Sequence, residues 1–374
     1  MRVGIILPGF SSDETDWAIP IQLNLVREMA KHDEVRVLAL RYPHRRDCYS
    51  IYGATVYSLG VGQVRGFGRL KLWLDALLTL RRLHREQPFD VLHAMWADET
   101  GLIAAWAGRW LGIPVVVSIA GGELVGFDDI NYGLQRGAFS HWIVGQALNR
   151  ATCVIAACTY THDLIPKAGY NIPQDKIRII TLGVDAEIFT PPKSNQPSTE
   201  VKLMHTASLV GVKDQATLLR ALARLPDNIT LDIIGTGPEE NHLRTLAHQL
   251  SINQRVHFLG KIEHLDLPAY YQQAALNILC SRHEGLGMVI LEAAACGIPT
   301  VGTAVGLLPD YPKLGIGVPV GDDAALAQAI ATLLTDKQKR IDLGQSARKL
   351  VEEHFTIQKT VHQFRNLYQE LIAN

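Results

Sequence analysis

Short, nearly continuous apolar runs recur along this chain, and most are followed by a stretch with helical periodicity. In the first half they are "RVGIIL" before 18–32, "EVRVLAL" ahead of 69–86, "FDVLHA" before 99–110, "PVVVSIA" before 134–149, and "CVIAA". Strands that are apolar at successive positions are buried on both faces. Alternated with helices they pair in parallel, so the pattern predicts a doubly wound α/β sheet. The stretch "EIFTPPKSNQPSTE", 187–200, drops out of both periodicities and gathers three prolines, as an exposed interdomain linker does. Beyond it the alternation restarts with "VKLMHTA", "ITLDIIG", "VHFLG", "LNILC" and "IPTVG", separated by helices near 214–224, 239–250, 266–275 and 287–296. The chain therefore reads as two Rossmann-like domains, 1–186 and 201–356, facing an interdomain cleft, with a helix at about 357–374 packing back on the first. At 374 residues it exceeds what one core usually serves, which fits that division.

Charge and cysteines narrow the partners. The 36 Lys plus Arg against 37 Asp plus Glu leave a net charge of −1, without the global field that grips a nucleic-acid backbone. The five cysteines are odd in number and lack paired Cys-x-x-Cys spacing, which suits buried thiols in a reducing cytoplasm. Pro8 interrupts the N-terminal run "MRVGIILPGF" before signal-peptide length, and no later stretch offers about 18 uninterrupted apolar residues, so a soluble protein is expected.

The densest signal is "SRHEGLGMVILEAAACGIPTV", 281–301, where Glu284 and Glu292 stand eight positions apart around a Gly-x-Gly. Gly285 and Gly287 let backbone approach a ligand closely, and a helix starting near them turns unpaired N–H groups and a positive dipole end toward a phosphate. This block, preceded in order by "GVD", "SLVGVKDQATLLRAL", "IIGTGPE" and "VHFLG", resembles glycosyltransferase family 4, the retaining, metal-independent enzymes of the GT-B fold. The resemblance is close over the C-terminal half and looser over the N-terminal half. It implies a nucleotide-diphosphate-sugar donor and catalytic roles for Lys213 and Glu284. Lys213 would stabilise the leaving diphosphate, Glu284 would hold donor-sugar hydroxyls, and Glu292 would hold the ribose. Gly9, Arg282, Gly285, Leu286, Gly287 and Met288 complete the expected donor site.

Three departures stand out. Ser208 occupies the position, five residues before Lys213, where the family usually has an arginine, and Arg282 could supply compensating charge or be a solvated surface residue. Ala120 stands where a histidine commonly ends the fourth strand, and the double glycine near Gly9 is absent. On the acceptor side, His93, Trp96, Asp98, Gly121, Gly122 and Glu123 follow or end strands where the switch-point rule puts ligand-facing groups. A lone histidine after an apolar strand, like His93, is more often structural, and core packing accounts for Trp96 as well as a site role does.

The segment 64–87, "VRGFGRLKLWLDALLTLRRLHREQ", mixes basic with large apolar side chains. It reads either as a crossover helix with a solvated basic side or as a peripheral membrane contact, here on the inner membrane face. No Asp-x-Asp, metal-spaced cluster or Gly-x-Ser-x-Gly elbow occurs, in line with no cofactor and no metal. The expected function is retaining transfer of a sugar from a nucleotide sugar to a hydroxyl on a glycan, lipid-linked or small acceptor. A noncatalytic sugar-nucleotide-binding subunit and a GT-B epimerase are the alternatives.

Overall fold

The computed structural model of the chain describes residues 1–16, 19–192 and 201–373. Two compact units emerge: Met1–Thr181 with the segment from Ile357 onward, and Leu182–Thr356.

Unit 1 carries β1 (Arg2–Gly9), α1 (Pro20–Met29), β2 (Glu34–Tyr42), β3 (Asp47–Ile51), β4 (Ala54–Ser58), α2 (Phe67–Glu86), β5 (Val91–Ala94), α3 (Glu99–Leu111), β6 (Val115–Ile119), α4 (Ala138–Arg150), β7 (Cys153–Ala156), α5 (Thr159–Lys167) and β8 (Ile177–Ile179). The sheet order is β3-β4-β2-β1-β5-β6-β7-β8, parallel except for the β3–β4 pair. The order reverses between β1 and β5, which makes that pair the switch point of the unit. Val3, Ile5, Ile6 and Leu7 of β1 and all of β5 and β6 are buried, as continuous apolar strands between helical layers must be.

Unit 2 carries β9 (Val201–Thr206), α6 (Gln215–Ala223), β10 (Ile229–Ile234), α7 (Glu240–Gln249), β11 (Val256–Gly260), α8 (Leu267–Tyr271), β12 (Leu276–Leu279), α9 (Met288–Ala295), β13 (Thr300–Thr303), β14 (Gly315–Val318), α10 (Asp323–Thr335) and α11 (Lys337–His354). Its sheet, β11-β10-β9-β12-β13-β14, is parallel throughout, with the switch between β9 and β12.

The last helix, α12 (Ile357–Ala373), belongs to unit 1. Arg365 donates to Asp33 (2.8 Å), Thr360 Oγ1 donates to the Thr181 carbonyl (2.8 Å), and the Tyr368 hydroxyl meets the His93 ring (2.6 Å). Residues 187–192, expected as exposed linker, are part of unit 2. Phe189 is fully buried, edge-on to His264 and Tyr271, and Gln272 Nε2 donates to the Thr190 carbonyl (2.7 Å). Pro191 and Pro192 lie outside regular structure, but the phenylalanine just before them still packs. The remainder of that stretch, 193–200, lies outside the described residues.

Candidate functional site

Lys213 and Glu284 are 71 positions apart in the chain, and the fold brings them into an ion pair of 2.6 Å. Lys213 closes a 3₁₀ turn, Gly211–Lys213, in the loop after β9; Glu284 lies in the loop after β12. The two loops meet because their strands are neighbours at the switch point; two hydrogen bonds join them and a third anchors the second loop to β13. The Arg282 N–H donates to the Val212 carbonyl (2.8 Å), Cys280 Sγ donates to the Lys213 carbonyl (3.0 Å), and Thr303 Oγ1 at the end of β13 donates to the Ser281 carbonyl (2.6 Å). Arg282 is thereby placed beside the turn that carries Lys213.

The Glu284 side chain is only 11% exposed and its Oε1 also accepts from Ser281 Oγ at 2.6 Å. Burial pushes its pKa up, but the Lys213 ammonium and the hydrogen bonds from Lys213 and Ser281 outweigh burial and hold the carboxyl below its ordinary range. Glu284 is therefore an anion at neutral pH, and Lys213 is neutralised locally by it. Beneath the pair, His205 on β9 is wholly buried. Its Nδ1 faces the Ile278 carbonyl at 2.9 Å, which can only accept, so Nδ1 carries the proton and Nε2 is left to accept from Gln215 Nε2 at 3.3 Å. Burial first of all lowers this histidine to about 4, and it stays neutral. Gln215 also donates to the Ser208 carbonyl (3.0 Å), fixing the loop where an arginine was expected.

The helix of the Glu-x7-Glu block begins at Met288. Gly287, at φ +87°, is its N-cap and supplies no side-chain cap, so no side chain occupies the first-turn N–H groups, of which that of Ile290 donates to the Gly287 carbonyl (2.9 Å). The Leu286 carbonyl before it accepts from the Leu307 N–H (3.1 Å), and Gly306 packs so closely that a Cβ there would stand 2.4 Å from that carbonyl oxygen. Glu292 lies on α9 at 8% exposure and accepts from the Tyr271 hydroxyl at 2.9 Å. Burial raises its pKa to about 7, only partly opposed by that hydrogen bond. Gly285, Leu286, Gly287 and Met288 thus line one continuous loop-to-helix entry between the two glutamates.

The unit 1 candidates separate by chemistry. Gly9 ends β1 with its Cα against Tyr42. His93 is a core residue: it is fully buried, its Nε2 meets Ser118 Oγ at 2.8 Å and its Nδ1 the Tyr368 hydroxyl, and burial drops its pKa to about 3. The strand end alone could not reveal this, since the partner Tyr368 is 275 positions away. Asp98 caps α3, accepting from the Thr100 N–H (2.9 Å) and Oγ1 (2.8 Å). Glu123, 1% exposed, accepts from the N–H groups of Ala97 (3.3 Å), Ala120 (3.0 Å) and Gly121 (2.6 Å), tying the loops after β5 and β6 together. Half-buried Trp96, Gly121 and Gly122 are what this tied cluster leaves partly open.

Ser281, His205, Gln215, Tyr271, Thr303 and Gly306 were not singled out from the sequence. Ser281 stood inside the quoted block, where its neighbour Glu284 was a usable signal. Tyr271 sits 21 positions before Glu292 and carried none.

Two parallel α/β units in tandem, the second with a Lys–Glu pair at its switch point, define a GT-B glycosyltransferase. Residues 20–183 match the family model described as "Glycosyl transferase 4-like domain" and residues 187–350 the one described as "Glycosyl transferases group 1", and the chain belongs to the family 4 glycosyltransferases. It is 26% identical over 315 residues to N-acetyl-alpha-D-glucosaminyl L-malate synthase of Bacillus anthracis, covering 78% of this chain and 77% of that one. Sucrose-phosphate synthase from Thermosynechococcus elongatus superposes with a TM-score of 0.84 at 22% identity, covering 100% of this chain and 99% of that one. Anabaena HepE in complex with UDP-glucose does so with a TM-score of 0.75 at 19%, covering 98% and 100%. At these identities the two structures establish the fold.

Proposed function

We propose that this chain transfers a sugar from a nucleoside-diphosphate sugar to a hydroxyl acceptor, with retention at the anomeric carbon and without a metal ion. The Lys213–Glu284 pair at 2.6 Å carries the reading, because it puts one cation and one acceptor-only carboxylate side by side at the uncapped start of α9. The diphosphate would lie on that helix start and draw Lys213 toward it. Glu284, fixed by Ser281, would accept from sugar hydroxyls, and Glu292 from the ribose hydroxyls. As the bond from the anomeric carbon to the diphosphate oxygen breaks, its electron pair leaves with the diphosphate. The acceptor oxygen bonds the same face of that carbon, and its proton passes to a leaving phosphate oxygen. Lys213 and the α9 amides would stabilise the growing charge, the task a metal ion performs elsewhere. Arg282, beside the Lys213 turn, would be a second cation in place of the arginine absent at Ser208.

Acceptor recognition is assigned to the strand-end loops of unit 1, with Trp96 offering a ring to a sugar face. Relatives named for a malate product and a sucrose-phosphate product fit a hydroxyl acceptor. The intact ion pair favours catalysis over a noncatalytic subunit or an epimerase. The setting is proposed to be cytoplasmic. The cysteines are free thiols, four of them buried, as suits a reducing compartment.

Steady-state kinetics on two variants test these roles. Lys213→Ala should lower kcat by about 100- to 1000-fold, the scale of losing one preorganised charge-stabilising donor, with a smaller change in donor KM. Glu284→Gln should also lower kcat, yet bind free nucleoside diphosphate at least as tightly, because it removes an anion from the diphosphate site and frees Lys213. Wild-type kcat in either variant would remove the pair from the chemistry.

A further inference from the structure

Helix α2 packs and protrudes at once. Leu72, Trp73, Ala76, Leu80 and Leu83 are buried against the unit 1 core, as a crossover helix requires, but Phe67 (91% exposed), Leu70, Leu74 and Leu78 form a second apolar stripe on the outside. The stripe does not stop at the helix. Phe139 at the start of α4 stacks on Trp73 (6.4 Å between rings) and on Trp142 (6.0 Å), and both Phe139 and Trp142 are exposed. Toward the other end of α2, the Arg81 guanidinium lies 4.4 Å from the ring of Trp110, exposed near the end of α3. Seven large apolar side chains from three helices thus share one outer face. Soluble monomers rarely leave so extended a patch open without a use for it.

The charges around it are mainly basic. Arg65, Lys71, Arg82, Arg85 and Arg109 are exposed on or beside the face. The acidic groups nearby are already engaged: Asp75 with Arg46, Glu86 with Arg82 at 3.9 Å, and Glu99 with both Arg41 and Arg69. What remains is an apolar, tryptophan-bearing surface with a cationic surround.

We propose that this face of α2, α3 and α4 docks on an anionic bilayer surface. Leucine and phenylalanine side chains would enter the acyl boundary. Trp110 and Trp142 suit the headgroup level, where an aromatic ring can keep one polar edge wet. Arginine and lysine stems would lie along the apolar surface with their heads among the lipid phosphates. Apolar insertion and charge attraction supply two additive parts of the binding, so each is separately removable. The docking requires no catalytic competence and no lipid-linked acceptor.

Sedimentation of the full chain with vesicles tests it, using phosphatidylcholine alone and phosphatidylcholine with about a third phosphatidylglycerol. The wild type should partition onto the anionic vesicles and detach at high salt, with little binding to the neutral ones. Leu74→Ser with Leu78→Ser, and separately Lys71→Glu with Arg82→Glu, should each weaken partitioning by about tenfold or more. Both variants should keep the melting temperature and the turnover of a water-soluble acceptor. The proposal is overturned by a wild type that ignores anionic vesicles, by leucine variants that bind them normally, or by leucine variants that turn a vesicle-free dimer into a monomer, since a second copy would then cover the face.

Discussion

Glu292 combines a carboxylate with near-complete burial, and its chemistry follows from that conflict. With its pKa raised to about 7 from an ordinary 4.5, the unfolded chain ionises this group before the native protein does. The unfolded state therefore binds fewer protons between those values, and the native state loses stability as pH rises through that window, by an amount on the order of 3 kcal/mol. Glu292→Gln removes the titration. Its melting temperature should match the wild type near pH 4.5 and exceed it above pH 7. Nucleotide affinity should move the other way: in the wild type it should climb as Glu292 ionises and can accept from both ribose hydroxyls, while the Gln variant stays flat. Calorimetry with free nucleoside diphosphate at pH 6 and pH 8 checks this, and a wild type with equal affinity at both would detach Glu292 from the ribose. Residue chemistry of this kind was half legible. The carboxylates announced themselves by spacing, whereas Tyr271 on Glu292 and Ser281 on Glu284 depended on how helices and loops converge.

At the level of elements, the long apolar strands and their helices were readable because burial on both faces leaves a continuous apolar run. The short pieces were not: the β3–β4 hairpin, β8 and β14 alternate polar with apolar residues or are rich in glycine, as edge elements tend to be. Residues 187–192 were misread as exposed for a related reason, since proline marks an interruption and says nothing of whether Phe189 packs. The loop from Glu284 to Gly287 owes its shape to a glycine outside the quoted block. Gly306 adopts φ +61° and presses against the Leu286 carbonyl, so an added methyl meets both backbone strain and a 2.4 Å clash. Gly306→Ala should lower the melting temperature and also weaken nucleoside diphosphate binding, by a few-fold to tenfold, because the displaced carbonyl belongs to the loop that enters α9. A variant that is destabilised but binds normally would mean the loop keeps its shape without Gly306.

For the whole molecule, membership in family 4 and the tandem α/β architecture were both visible in the order of motifs, since each motif marks the end of a strand and strand ends are where this fold keeps its chemistry. The roles of the unit 1 candidates were much less visible. His93 and Glu123 have the residue types of a site, yet a hydroxyl on α12 and three backbone N–H groups occupy them. The account's central claim is retaining transfer without a metal, driven by charge stabilisation at Lys213 and the start of α9. Proton NMR of the first product formed from an α-linked nucleotide sugar, in the presence of a chelator, tests it most directly. An α-anomeric product at undiminished rate is the expected result; a β-anomeric product, or transfer that stops when the chelator is added, would contradict it.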